Sequence, residues 1–145
     1  MQTFFTIHTM NFYRAHESPQ HPEGKQDLGW LLSRRRFLIL YEHMLADLVA
    51  FRPSKGKMRV LCGEHQLTRR NMRRNVERNF ANGCDAMVML VPDESARAAA
   101  RRFLCRNFPR SVWTRIGILT HDTCRRCLLG TTDSAICIND GGLHG

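Results

Sequence analysis

Two acidic side chains, Asp47 and Glu64, stand in apolar, strand-like runs on either side of a short turn. Residues 45–51 form the first run and residues 58–64 the second, and residues 53–56 between them are of turn-forming types. If the runs pair as an antiparallel hairpin, the beginning of the first strand meets the end of the second. The sequence therefore predicts that the two carboxylates converge at one end of the sheet.

The residues after Glu64 add polar groups to this predicted site. Side chains alternate along a strand, so Gln66 points to the same side as Glu64 while His65 points to the other. Two carboxylates form an oxygen-rich site suited to Mg²⁺ or Mn²⁺, since Mg²⁺ takes one or two carboxylates and fills its shell with water and phosphate oxygens. Such a cation polarises a phosphodiester and helps to deprotonate water. The simpler interpretation is that both acids are ordinary strand-end residues.

Hydrophobic period and capping residues predict the elements that position these groups. Thr68 is the expected N-cap and Gly83 the C′ residue of an arginine-rich helix. The predicted helices cover residues 25–33, 68–82 and 93–107, and the predicted strands cover 37–41, 45–51, 58–64, 86–91 and 112–120. This order predicts an α/β fold with a mixed sheet, in which a three-stranded antiparallel meander precedes strand–helix–strand crossovers with helices on both faces.

The chain length of 145 residues suits a single core domain, predicted over residues 25–122. Residues 1–24 have no sustained period and are expected to form an irregular N-terminal arm. Residues 123–145 are Gly-rich and are expected to form a flexible C-terminal tail. No apolar run reaches the ~20 residues of a membrane span, and the expected location is the cytoplasm, with no membrane partner.

Charge favours a polyanionic partner, since the net charge is +9 and nineteen of the 22 basic residues are arginine. Arginine offers a planar fork that suits phosphate. Five arginines of the predicted second helix follow the acidic pair directly and are candidate nucleic-acid contacts: Arg69, Arg70, Arg73, Arg74 and Arg78. The alternative is a solvated helix face.

The order of elements and the acidic pair resemble the PD-(D/E)XK nuclease superfamily, the restriction-endonuclease-like fold, over residues 26–120. In that family the active site has an Asp on the second core strand and Glu-x-Lys on the third. Asp47 matches the Asp and Glu64 the Glu, but Gln66 stands at the lysine position. The resemblance implies Asp47 and Glu64 as metal ligands, Gln66 as a catalytic helper, and Glu23 or Asp27 as a further acid from the first helix.

A second likeness, over residues 68–94, is to nuclease-fold domains carried with mobile elements. Together the two likenesses imply a Mg²⁺- or Mn²⁺-dependent nuclease acting on nucleic-acid phosphodiesters, with DNA as the expected partner. Because Gln66 lacks the lysine charge, the alternative is a catalytically inactive module of the same fold that binds nucleic acid.

The cysteines offer a different kind of site. His121, Cys124 and Cys127, with Cys137 further on, could hold Zn²⁺ tetrahedrally, which would make the chain a small zinc-stabilised regulator. A single Cys-x-x-Cys is weak evidence for zinc, and unrelated buried or free thiols are the competing interpretation. The remaining cysteines lie in or beside predicted elements, where an unpaired thiol behaves as a small hydrophobe.

Overall fold

The computed structural model describes residues 20–41 and 46–128. For residues 20–22 it describes the backbone only. The helices are α1 (Gln20–Arg34), α2 (Met72–Ala81), α3 (Glu94–Asn107), α4 (Arg110–Trp113) and α5 (His121–Leu128). The strands are β1 (Leu38–Tyr41), β2 (Leu48–Ser54), β3 (Lys57–His65), β4 (Ala86–Val91) and β5 (Ile116–Thr120).

The five strands form one sheet in the order β1-β2-β3-β4-β5. β1, β2 and β3 pair antiparallel, whereas β3–β4 and β4–β5 pair parallel. All six residues of β4 are buried, as their continuous apolar character predicts for a central strand. The predicted fold class, an α/β mixed sheet with a meander and two crossovers, is confirmed.

Helices cover both faces of the sheet and create two apolar layers. On one face α1 buries Leu28, Leu31 and Leu32 in a cluster that also contains residues of α5. On the other face Met72 and Val76 of α2 join Ala100 and Leu104 of α3. None of the helices in the described part of the chain combines the length and apolar character that crossing a bilayer requires.

The β2–β3 turn is tighter than predicted. Pro53 lies within β2 and pairs with Met58, so the connection is only Lys55 and Gly56. Both residues have positive φ, +49° and +76°, as a two-residue hairpin turn of the type I′ class requires, and glycine meets that requirement without a steric penalty. This turn fixes the β2–β3 register and with it the positions of the acids.

Other boundaries also differ from the prediction. β2 runs over Leu48–Ser54 instead of residues 45–51, so Asp47 lies just before the strand and not within it. α1 begins at Gln20, inside the predicted arm, and residues 123–128 of the predicted tail belong to α5. The strand predicted over 112–120 begins only at Ile116, because α4 precedes it. α2 begins at Met72 with Asn71 as its N-cap, so the predicted Thr68 cap is wrong. The rest of the predicted arm and tail, residues 1–19 and 129–145, lies outside the described residues.

Two cysteines that were expected to be unpaired form a disulfide. Cys62 of β3 and Cys84, which precedes β4, are bonded, with their Cα atoms 6.1 Å apart. The two cysteines are 22 positions apart in sequence. They are close in space because β3 and β4 are parallel neighbours at the centre of the sheet. The expectation of free thiols at these two positions is therefore wrong.

Candidate active site

Asp47 and Glu64 lie together at the end of the β2–β3 pair. Leu48 is opposite Gly63 in the register, so Asp47 and Glu64 occupy the next position along the two chains. The Asp47 Oδ2 accepts a hydrogen bond of 2.8 Å from the backbone N–H of His65, and a side-chain hydrogen bond between Asp47 and Glu64 favours the protonated form of Glu64. The predicted convergence of the two acids is confirmed.

Both carboxyl groups are buried, and this changes the protonation of Glu64. Asp47 is 6% exposed and Glu64 is 3% exposed. Burial raises the pKa of Glu64 to about 7, and the nearby charge of Asp47 adds to this effect. Asn79 and Arg78 act in the opposite direction, because each favours the ionised form. Near neutral pH Glu64 is therefore close to half-protonated.

Two side chains of α2 bind Glu64 directly. The Nδ2 of Asn79 donates to Glu64 Oε1 at 2.7 Å, and Nη2 of Arg78 donates to the same oxygen at 3.0 Å. Asn79 is fully buried, whereas Arg78 remains partly exposed to the cleft. The helix thus places one amide and one permanent positive charge against the acidic pair.

A cleft of about 420 Å³ opens between the acidic pair and α2. One flank of α2 and of the turn before it contributes residues 71, 74, 75 and 78, which the helical spacing of three and four residues puts on one side. The cleft is lined by Asp47, Glu64, His65, Gln66, Leu67, Thr68, Asn71, Arg74, Asn75 and Arg78. Its wall is therefore polar and basic, and its floor is acidic.

The five arginines predicted to contact nucleic acid do not share one surface. Arg74 and Arg78 line the cleft, while Arg69 and Arg70 are exposed in the turn before α2. Arg73 points away from the cleft, where it contacts Glu77 and Asn107. The sequence interpretation assigned no role to Asn75 and Asn79, although asparagine recurs at 71, 75 and 79 on one stripe of the helix.

Gln66, at the position of the family's lysine, is buried with both ends of its amide engaged. Its Oε1 accepts from Nδ2 of Asn75 at 3.2 Å, and its Nε2 donates to the carbonyl oxygen of Thr68. These contacts hold the turn before α2 against the end of β3, which explains why the helix begins later than predicted. The side chain lines the cleft, but its amide forms its hydrogen bonds with other residues of the protein.

The donor set is compatible with a divalent cation. Two adjacent carboxylates satisfy the protein share of a Mg²⁺ shell, with water and phosphate oxygens completing it. The Nδ2 of Asn79 binds Glu64, while its Oδ1 is buried and has no hydrogen-bond partner among residues 20–41 and 46–128. Within residues 20–41 and 46–128 there is no cluster of three or more His, Cys, Asp or Glu side chains that could hold a metal, so any cation here would rely on the pair.

The further acid that the resemblance implies is not brought to the pair by any described contact. Asp27 lies on α1, on the opposite face of the sheet, and forms an ion pair of 3.7 Å with Arg125 of α5. Glu23 is exposed in the first turn of α1.

His65 is buried on the side of the sheet opposite Glu64, as the alternation of side chains along the strand predicts. Its ring packs on the face opposite Glu64, beneath Gly24 of α1. The Nε2 atoms of His65 and His121 are 2.6 Å apart. Burial and the charge of Arg125 lower the pKa of His121, against the smaller opposing effects of Asp27 and Asp93.

The zinc candidates are accordingly engaged in other contacts. His121 binds His65, and Cys127 is disulfide-bonded. Cys124 is buried in the core, where burial raises the pKa of its thiol to about 12, which disfavours the thiolate that zinc binds. Cys137 lies outside the described residues.

The site thus consists of a buried acidic pair, the Arg78 guanidinium beside it, and a polar cleft next to a basic helix. Comparison of the chain with protein-family models, with curated proteins and with solved structures finds no match to any of them.

Proposed function

We propose that this protein is a metal-dependent phosphodiesterase that cleaves nucleic acid, with DNA as its expected substrate. The observation that carries the proposal is the Asp47–Glu64 carboxylate pair at the floor of a cleft whose wall is basic. Carboxylates alone would repel a phosphodiester. A cation between them reverses that repulsion, and the arginines of the wall add to the attraction.

Asp47 and Glu64 are the residues that would hold Mg²⁺ or Mn²⁺, and the cation would take the place of the proton on Glu64. When bound, such a cation polarises a phosphodiester and lowers the pKa of water. The backbone N–H of His65 keeps the Asp47 carboxylate in position. Asn79 and Arg78 do the same for Glu64.

Arg78 supplies the positive charge that Gln66 lacks. Its guanidinium is bound to Glu64 at 3.0 Å and stays partly exposed in the cleft, while its buried Nε has no hydrogen-bond partner in the part of the chain that the structure describes. A guanidinium beside the reacting phosphate stabilises the negative charge that develops on the phosphate oxygens. In this proposal Arg78 takes the electrostatic part of the lysine's role, and Gln66 holds the cleft in shape.

The direct test is cleavage of plasmid and branched DNA with Mg²⁺ or Mn²⁺. The wild type is expected to cleave. Asp47→Asn is expected to reduce the rate by a factor of about 10² or more, which is the usual effect of removing one group that stabilises charge in the transition state. Asp122→Asn is the matched control, since this exposed acid of α5 lies outside the cleft. Cleavage that survives Asp47→Asn unchanged would overturn the proposal.

A second test reads cation binding without activity. Mg²⁺ at 100 times its dissociation constant stabilises a folded protein by about 2.7 kcal/mol. Added Mg²⁺ should therefore raise the thermal unfolding midpoint of the wild type and of Asp122→Asn, but not that of Asp47→Asn. Equal responses in all three proteins would contradict a cation site at the pair.

The second candidate function is a nucleic-acid-binding module without catalysis. It is favoured by the engagement of Gln66 at both ends and by the two donors that already satisfy Glu64. The expected behaviour is salt-dependent retention of DNA that Asp47→Asn does not weaken, with no cleavage under any divalent cation.

A further inference from the structure

The second basic helix, α3, lies on the same face of the sheet as α2. Both connect neighbouring parallel strands, and crossovers of this kind have one hand, which puts their helices on one side. The apolar residues of the two helices accordingly share one cluster. The carboxylate cleft opens beside α2, so α3 belongs to the same face of the molecule as the candidate active site.

Three arginines of α3 are exposed and engaged with nothing in the part of the chain that the structure describes. Arg101, Arg102 and Arg106 are in no ion pair or side-chain hydrogen bond there, whereas Arg97 pairs with Glu94 at 3.5 Å. Arg102 and Arg106 are neighbours one turn apart on the helix, and Arg101 lies on the adjoining flank. Exposed arginines without a counter-charge repel one another, and a polyanion relieves that repulsion.

Arg73 joins the two helices on this face. Its Nη2 donates to Oδ1 of Asn107 at 2.6 Å, and its guanidinium lies 5.7 Å from the ring centroid of Phe108. The flank of α2 that faces away from the cleft therefore borders the C-terminal end of α3, next to Arg106. The basic surface continues from the cleft, across α2, onto α3.

We propose that Arg101, Arg102 and Arg106 contact phosphates and that the substrate is a duplex lying across α2 and α3. The two helices lie side by side on one face of the sheet, and a helix with its side chains is about 10–12 Å across, so together they are wide enough to reach both strands across a B-DNA groove of about 6 or 12 Å. The arginines of the two helices can then meet phosphates of both strands, whereas a single strand offers only one line of phosphates. The choice of nucleic acid as the polyanion rests on the proposed function.

The test measures binding without metal, so that cleavage plays no part. The α3 variant is Arg101→Gln, Arg102→Gln and Arg106→Gln, and glutamine keeps the helix propensity close to that of arginine. The matched control removes the same charge from the opposite face through Arg34→Gln, Arg125→Gln and Arg126→Gln. Affinity for a duplex of about 30 base pairs and for its single strand is measured over a range of salt, after thermal unfolding has verified that each variant is folded.

The α3 variant should lose about tenfold or more in duplex affinity, and the slope of log K against log salt should fall in magnitude by about 2–3, since each lost phosphate contact removes about 0.9. Its affinity for the single strand and the duplex affinity of the control should change several-fold less. Equal losses in the α3 variant and the control, or equal losses for duplex and single strand, would overturn the proposal, as would a wild type that does not bind the duplex. If the protein binds the duplex through α3 but does not cleave it, the binding inference is supported and only the proposed phosphodiesterase activity is rejected.

Discussion

Burial raises the pKa of Glu64, and the charge of Asp47 raises it further, whereas Asn79 and Arg78 lower it. The result is a pKa of about 7, so Glu64 is close to half-protonated at neutral pH. A proton and a divalent cation compete for the same oxygens in such a pair. The protonation of this one residue therefore links the pH, the stability of the fold and the occupancy of the candidate metal site.

The raised pKa of Glu64 predicts that stability falls as the pH rises from about 4.5 to about 7, because the folded state binds the proton more tightly than the unfolded chain. The loss is on the order of 3 kcal/mol. Glu64→Gln removes the titrating group and should flatten this part of the profile. Urea unfolding at pH 5, 6, 7 and 8 measures the effect.

The matched control for this experiment is Glu77→Gln, because Glu77 is an exposed acid on the same helix as the two donors. Its profile should follow that of the wild type. If Glu64→Gln and Glu77→Gln give the same profile, the shift does not belong to the buried pair.

A lysine at position 66 should restore the charge found in the resembling nucleases. Gln66 is buried beside the cleft, so the amine of Gln66→Lys would lie near the acidic pair and would favour ionised Glu64. With Mg²⁺ present we expect the cleavage rate to rise by about tenfold or more. Gln66→Met, of similar size and without charge, is the control. A rate that falls equally in both variants would mean that the Gln66 contacts to Thr68 and Asn75 matter more than a charge.

At the scale of elements, the sequence predicted the meeting of the two acids but not the register that produces it. A four-residue turn at 53–56 would put Asp47 opposite Cys62. The actual turn at Lys55 and Gly56 moves the partner two positions, to Glu64. Side chains alternate between the two faces of a strand, so a register shift of two residues leaves each side chain on the same face of the sheet. The site was therefore predictable although the turn was not.

Other errors arose where tertiary contacts override local pattern. β4 and α3 were predictable because continuous apolar character and the Asp93 cap are local signals. The start of α2 depends on the Gln66 amide, a contact that no periodicity reveals. α5 has only eight residues, too few for its Cys124 and Cys127 stripe to indicate a helix.

Docking of α1 depends on the absence of a side chain at Gly24. A Cβ there would lie 2.2 Å from Cε1 of His65, so Gly24→Ala must displace the imidazole that contacts His121. We expect a destabilisation of about 1–3 kcal/mol, measured by urea unfolding.

A double-mutant cycle with His65→Ala separates this steric effect from helix propensity. Removing the ring makes room for the new methyl group, so the cost of Gly24→Ala should be smaller in the His65→Ala background. Additive effects in the cycle would mean that the ring does not set the packing distance of α1.

At the scale of the whole molecule, the candidate site and the unpaired arginines share one face of the sheet. α2 carries the groups that bind Glu64 on one flank and Arg73, which reaches α3, on the other. The carboxylates at the floor of the cleft repel a polyanion, whereas the arginines of its wall attract it. A bound cation would neutralise the carboxylates and remove the repulsion. Binding and catalysis are thus expected to respond in opposite directions to the loss of the carboxylates.

The variant carrying both Asp47→Asn and Glu64→Gln should bind duplex DNA several-fold more tightly than the wild type when metal is absent, while cleavage with Mg²⁺ is lost. The reason is that ionised carboxylates repel a phosphate held by Arg74 and Arg78 at close range, where salt screens little. Fluorescence anisotropy with labelled duplex in EDTA measures the affinity at pH 8, where Glu64 is mostly ionised. At pH 5.5 the difference should narrow, since the wild-type Glu64 is then protonated. Weaker binding by the double variant at both pH values would place the DNA path away from the cleft and leave the acidic pair with a purely structural role.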